Sequence, residues 1–159
     1  MVPVYNLPGA ISFQQALNQG KQQNFNKPKI NLKDVAFLQY TGGTTGVSKG
    51  AILTHGNITG NVMQCDQWFL DTNEGDELVV TALPLYHIFA LTVNCFLMFK
   101  IGAHNLLITN PRDMPGFVKA LKKIKMSVFT AVNTLFIGLL NNPEFAKVDF
   151  SKLKYSIDR

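Results

Sequence analysis

An α/β fold, a three-layer and mostly parallel sheet with helices on both faces, is predicted by three features of this 159-residue chain. From Asp34 onward, short apolar runs alternate with segments of helical periodicity. The central apolar runs are nearly continuous, as in strands covered on both faces. Polar turns separate them, and strands alternating with helices imply right-handed crossovers around one sheet. With 47% hydrophobic and 16% charged residues, the chain has the apolar content for a buried core. That excludes a disordered polymer.

The elements follow in order. Residues 1–31 read as a connector rich in Gln, Asn, Lys and Pro. It holds one amphipathic stretch, Ile11 to Leu17, predicted to be helical with Ser12 as its cap. Residues 32–159 read as the α/β domain. Val35 to Tyr40 is a strand leading into a glycine-rich segment, and Ala51 to Thr54 is a second short strand. A helix from about Asn57 to Phe69 carries Ile58, Val62, Cys65 and Phe69 on one stripe. Strands are then expected at Leu78 to Ala82, Asn105 to Thr109, Val128 to Val132 and Leu153 to Ile157. Helices are expected between them at Ile88 to Lys100, Pro115 to Lys123 and Thr134 to Asn141.

Charge and cysteine usage narrow the function classes. The formal net charge is +5, and the only dense basic run is Lys119, Lys122, Lys123 and Lys125. At helical spacing that run is a solvated face, so nucleic acid is not an expected partner. Cys65 and Cys95 lie in apolar segments without metal-ligand spacing and read as buried reduced thiols, which points to the cytoplasm. No basic and apolar leader opens the chain. The apolar run Ile88 to Ile101 is shorter than the roughly 20 residues of a spanning helix and is expected in the core.

Tyr40 to Gly50 carries the chemistry. Gly42, Gly43, Gly46 and Gly50 allow positive φ and close backbone approach, so successive N–H groups can converge on one anion. Thr41, Thr44 and Thr45 add hydroxyls, and Lys49 adds a point charge suited to phosphate. The segment is a polyphosphate cradle by composition. It is not a Walker A loop, because Ser48 precedes the lysine and Gly50 follows it. The alternative is a Gly/Thr-rich hairpin without a ligand.

This segment resembles the phosphate-binding signature of the AMP-forming adenylating enzymes, which include acyl-CoA synthetases, luciferases and peptide-synthetase adenylation domains. Ser48 stands where most members carry proline. Leu83 to Phe89 is similar to the family's second core motif. Asn105 to Pro115, Val132 to Leu140, Pro8 to Leu17 and Thr54 to Gly56 resemble bacterial long-chain fatty-acid–CoA ligases. The resemblance places the chain within the large N-terminal domain of an adenylate-forming enzyme. It implies ATP-dependent activation of a fatty acid to acyl-AMP, followed by transfer to CoA.

By the same resemblance, Thr41, Gly42, Gly43, Thr44, Thr45, Gly46 and Lys49 hold the β- and γ-phosphates, and Thr41 also reaches Mg²⁺. His87 matches the position beside the reacting carboxylate, although a histidine after Pro84 read alone is a packed loop residue. Lys49, Thr44 and His87 are the candidate catalytic residues. His55 reads as a neighbour of a helix cap and His104 as a strand-edge residue. Val132 to Leu140 borders the acyl tunnel by resemblance and plain core by composition. Asn133 stands where most relatives have proline.

The family's Tyr-Gly-x-Thr-Glu motif, ribose-binding aspartate and catalytic lysine have no counterpart in these residues. The expectation is therefore an internal segment that is catalytically silent alone. Its parent would use long-chain fatty acid, ATP, Mg²⁺ and CoA in the cytoplasm. Peripheral contact with the inner membrane and self-association of the segment stay open. The alternatives are a fatty-acyl-AMP ligase, another carboxylate activator, or a non-catalytic nucleotide-binding module.

Overall fold

The structure is a computed structural model and describes residues 7–41 and 49–158, without the side chain of Thr41. The chain divides into two compact units, residues 1–30 and 31–159. In the first, helix α1 spans Phe13–Gly20. Ser12 caps it reciprocally: the Ser12 hydroxyl accepts from the Gln15 N–H, and the Gln15 side chain accepts from the Ser12 N–H. This capping box satisfies two otherwise orphaned donors.

The second unit begins with a two-stranded antiparallel ladder of β1 (Val35–Thr41) and β2 (Lys49–Thr54). Helix α2 (His55–Asp66) follows directly, with Thr54 and Asn57 forming another capping box. Next come β3 (Leu78–Thr81), a helical segment from Ile88 to Ile101, β4 (His104–Leu107) and α5 (Met114–Leu121). The segment closes with β5 (Val128–Thr130), α6 (Asn133–Leu140) and β6 (Tyr155–Ile157). Strands β3 to β6 make one wholly parallel sheet in the order β4-β3-β5-β6.

Alternation along the strands divides the core into two layers. Val79 and Val128 face Val62, Val93, Leu97 and Met98 on one side. Val80 and Phe129 face Phe117, Val118, Leu121 and Leu139 on the other. Three layers result, helices covering both faces of the sheet as the apolar runs predict.

The expected helix over Ile88 to Lys100 is not uniform. It runs as α3 (Ile88–Ala90), a π-helix (Leu91–Leu97) and α4 (Met98–Ile101). Gly102, at φ 73°, terminates it in the left-handed conformation that glycine adopts without strain. A short 3-10 turn at Pro143–Lys147 was not expected. Cys65 and Cys95 are free thiols, but each is only partly buried. The lysine face behaves as expected: Lys119, Lys122, Lys123 and Lys125 are exposed, with Lys122 paired to Glu144 and Lys125 to Asp149. Lys122 and Lys147 together hold the Glu144 carboxyl down at about 2.

Candidate functional site

Thr41 ends β1 and Lys49 begins β2, and the two are Cα partners across the ladder. The intervening stretch, with Gly42, Gly43, Thr44, Thr45 and Gly46, lies outside the described residues. Lys49 is exposed at the end of the hairpin. Behind it the Tyr40 ring lies over Gly50, where a Cβ would come to 3.4 Å from ring carbons. A side chain there would meet the ring at ordinary van der Waals contact.

Side chains of β1 tie the hairpin to the second motif. Phe37 packs on Phe96 of the π-helix with ring centroids 5.6 Å apart. The Gln39 amide donates to the Tyr40 carbonyl at 3.3 Å and makes a long bond to the Tyr86 carbonyl at 3.5 Å. A shallow groove between them is lined by Leu38, Tyr40, Leu85, Tyr86 and Leu91. Two segments far apart in sequence, Tyr40 and Leu85–Tyr86, thus become neighbours.

His87 is half-buried and caps α3. Its Nδ1 accepts from the Phe89 N–H at 3.3 Å, and its backbone N–H donates to the Pro84 carbonyl at 3.0 Å. His55 opens α2, its N–H donating to the Asp34 carbonyl. His104 opens β4 at the opposite end of the sheet from His87, with its N–H on the Glu77 carbonyl.

The connections after β3 and β5 leave on opposite faces, since the π-helix joins one core layer and α6 the other. Such a switch point opens a crevice at the carboxyl ends of the strands, the usual ligand position in open α/β sheets. Here it is a cleft of about 370 Å³ lined by Ala82, Pro84, Arg112, Met114, Val132 and Leu135. The core reading of Val132 to Leu140 holds for part of the helix. Leu135 and Leu139 are buried in the core, while Val132, Thr134 and Leu135 also line the cleft. Asn133 is exposed.

A buried polar network was missed in the sequence. Asn94, on the π-helix, reaches Thr81 and Thr130, the final residues of β3 and β5. The signal was present, a lone amide within an apolar run. Glu77 was missed too. It is buried at 2% exposure, and its Oε1 accepts from Lys154 Nζ and the Asn73 N–H, both at 2.6 Å. Burial pushes its pKa up, but the bonds from Lys154, Ser127 and Asn73 outweigh that and hold it below the ordinary value. Among the described residues, no group of three or more His, Cys, Asp and Glu is placed to hold a metal ion. Nor is any described helix long and apolar enough to cross a membrane.

A parallel sheet with its crevice at β3 and β5, beside a hairpin carrying the glycine-rich motif, is the framework of an adenylate-forming domain. The AMP-binding enzyme family model matches residues 4–157, and the chain belongs to that family. It is 57% identical over 157 residues to the long-chain-fatty-acid–CoA ligase of Escherichia coli, covering 98% of this chain and 28% of that protein. With the ligase of the same name from Haemophilus influenzae it shares 54% identity over 161 residues, again covering 28% of the relative. The chain thus spans about 28% of the length of these curated relatives. Its fold matches McyG A-PCP complexed with phenylalanyl-adenylate at a TM-score of 0.76 and 21% identity, over 90% of this chain and 26% of that one.

Proposed function

We propose that this chain is the phosphate-binding segment of a long-chain fatty-acid–CoA ligase. The fatty carboxylate attacks the α-phosphorus of ATP, the bond to the bridging oxygen breaks, and pyrophosphate leaves with the electron pair. The CoA thiol then attacks the acyl carbonyl, giving acyl-CoA and AMP. The 57% identity running through 98% of the chain carries this reading.

The physical demand of the first step is stabilisation of charge growing on pyrophosphate. In this reading Thr41, Gly42, Gly43, Thr44, Thr45 and Gly46 supply hydroxyl and N–H donors, and Lys49 supplies positive charge. Their donor set suits phosphate oxygens. An Mg²⁺ ion would be carried on those oxygens, with Thr41 the chain's candidate hydroxyl for it. His87 stands beside the reacting carboxylate, and the cleft at Val132 and Leu135 receives the start of the acyl chain.

The test is fatty-acid-dependent release of pyrophosphate and AMP by the full-length polypeptide carrying this segment, with and without CoA. AMP release that requires CoA supports the ligase. Acyl-AMP release indifferent to CoA identifies an acyl-AMP ligase, and nucleotide binding without turnover identifies a binding module. The 159 residues alone, 28% of a relative's length, are expected to release no AMP.

A further inference from the structure

Asn94 is fully buried in the middle of the π-helix. Its Nδ2 donates to Thr81 Oγ1 at 3.0 Å, and its amide pairs with Thr130 Oγ1, Nδ2 at 2.8 Å and Oδ1 at 3.0 Å. Thr81 bonds onward to the Asn105 side chain. Thr81 and Thr130 are themselves partners across the β3–β5 ladder. One amide therefore grips the carboxyl ends of both strands that flank the crevice. The Asn94–Thr81 bond also closes residues 82–93, which carry His87, into a loop anchored at both ends.

We infer that Asn94 is a positioning residue for His87, fixing the rotation and register of the helix that His87 caps. The π-helical turn is part of the device. Bonds from i to i+5 put more residues in each turn, so the consecutive buried run Thr92, Val93 and Asn94 faces the sheet within a narrower arc. Three apolar side chains of similar shape would fill this space at little cost in stability, because removing these three partners together leaves only the part-buried Asn105 amide, on edge strand β4, without its bond from Thr81. Apolar contacts tolerate sliding and rotation; directed hydrogen bonds do not. The network thus defines one helix position, and His87 follows from it through its cap on Phe89.

The test separates positioning from stability. Asn94→Leu alone strands the buried Thr130 hydroxyl, leaves Thr81 only its bond to Asn105, and lowers the melting temperature. The triple variant Asn94→Leu, Thr81→Val, Thr130→Val restores it. In the 159-residue chain, the triple variant is expected to exchange the Phe89 amide about tenfold faster and to shift the His87 Nδ1 resonance. Wild-type values for both, at a restored melting temperature, overturn the inference. Should the triple variant fail to fold, Thr81→Val alone cuts the loop closure and is read in the same way.

The catalytic consequence rests on the ligase reading. In the full-length enzyme the triple variant lowers kcat for adenylation about tenfold or more, with KM for ATP unchanged. Unchanged kcat in a variant whose His87 has moved overturns that consequence. Absence of turnover in the unsubstituted enzyme, with His87 still answering to Asn94, defeats the ligase reading and leaves the positioning role standing.

Discussion

Thr41 and Lys49 are direct partners at the end of the β1–β2 ladder where the glycine-rich segment joins the strands. The two ends of the glycine-rich segment are therefore held one strand spacing apart, about 5 Å. With its ends pinned, the segment has already met the entropy of loop closure, and ligand binding does not incur that cost again. The lysine that opens β2 is held at the mouth of that loop by the ladder.

Lys49→Ala and Thr44→Ala are expected to slow adenylate formation in the full-length enzyme while fatty-acid binding changes little. Loss of one donor to developing charge costs about 2.7–4 kcal/mol of barrier, or roughly 10²–10³ in rate. Fatty-acid-dependent exchange of labelled pyrophosphate into ATP reads this step directly. Exchange near the unsubstituted rate in either variant would remove that side chain from the phosphate site.

His87 serves a cap as well as the proposed chemistry, so its substitution has two separable effects. His87→Ala should lower adenylation and also cost about 1 kcal/mol of stability through the lost acceptor for the Phe89 N–H. His87→Asn keeps a capping oxygen and should recover the melting temperature without recovering adenylation. Activity that returns together with the melting temperature would reduce His87 to a packed loop residue.

Glu77 and Lys154 predict a specific acid limb. The Glu77 carboxyl is held below its ordinary value, so the folded state binds its proton less readily than the unfolded chain does. Its stabilising contribution is complete above the unfolded value, about 4.3, and is lost as pH falls through the lower folded value. Lys154→Met leaves the Glu77 charge buried without its partner and should cost about 3 kcal/mol at neutral pH. The double variant Glu77→Leu, Lys154→Met should recover much of that loss and flatten stability below pH of about 4. Urea melts between pH 3 and 7 provide the comparison, and an unchanged acid limb in the double variant would assign it to other carboxylates.

The elements were legible where period and length agree. The runs at Leu78, Val128 and the helix around Val118 lie within a residue or two of their expected places, because burial on both faces leaves an unbroken apolar signature. Local caps were legible at Ser12, where donor and acceptor are three residues apart. The π-helix was not, since hydrophobic periodicity over Leu91–Leu97 cannot distinguish i to i+4 from i to i+5 bonding in a segment apolar all round. Asn94 is a single amide in that run, and its role depends on partners on two strands, Thr81 and Thr130. Glu77 directly precedes β3 and no local pattern marks it; its partner Lys154 is 77 residues away. The proposed site divides similarly. Motif residues announced themselves by type, whereas the switch-point cleft depends on strand order, which no local pattern encodes.

Two glycines of α2 should respond to alanine in opposite directions. Gly56 lies in the first turn, where its N–H donates to the Leu32 carbonyl at 2.7 Å. A Cβ there would stand 2.9 Å from that same backbone oxygen, so either the bond lengthens or the segment before β1 moves. Overpacking against backbone costs about 1–3 kcal/mol, and Gly56→Ala should lower the melting temperature accordingly. Gly60 lies one turn on, exposed, with nothing within 4 Å of a built Cβ. There alanine meets no obstacle and restricts the unfolded chain, so Gly60→Ala should stabilise by up to about 1 kcal/mol. Thermal melts of the two single variants decide it. A neutral Gly56→Ala would mean that the Leu32–Gly56 approach is slack, and that the start of α2 is held by the His55 bond to the Asp34 carbonyl and the Thr54–Asn57 cap.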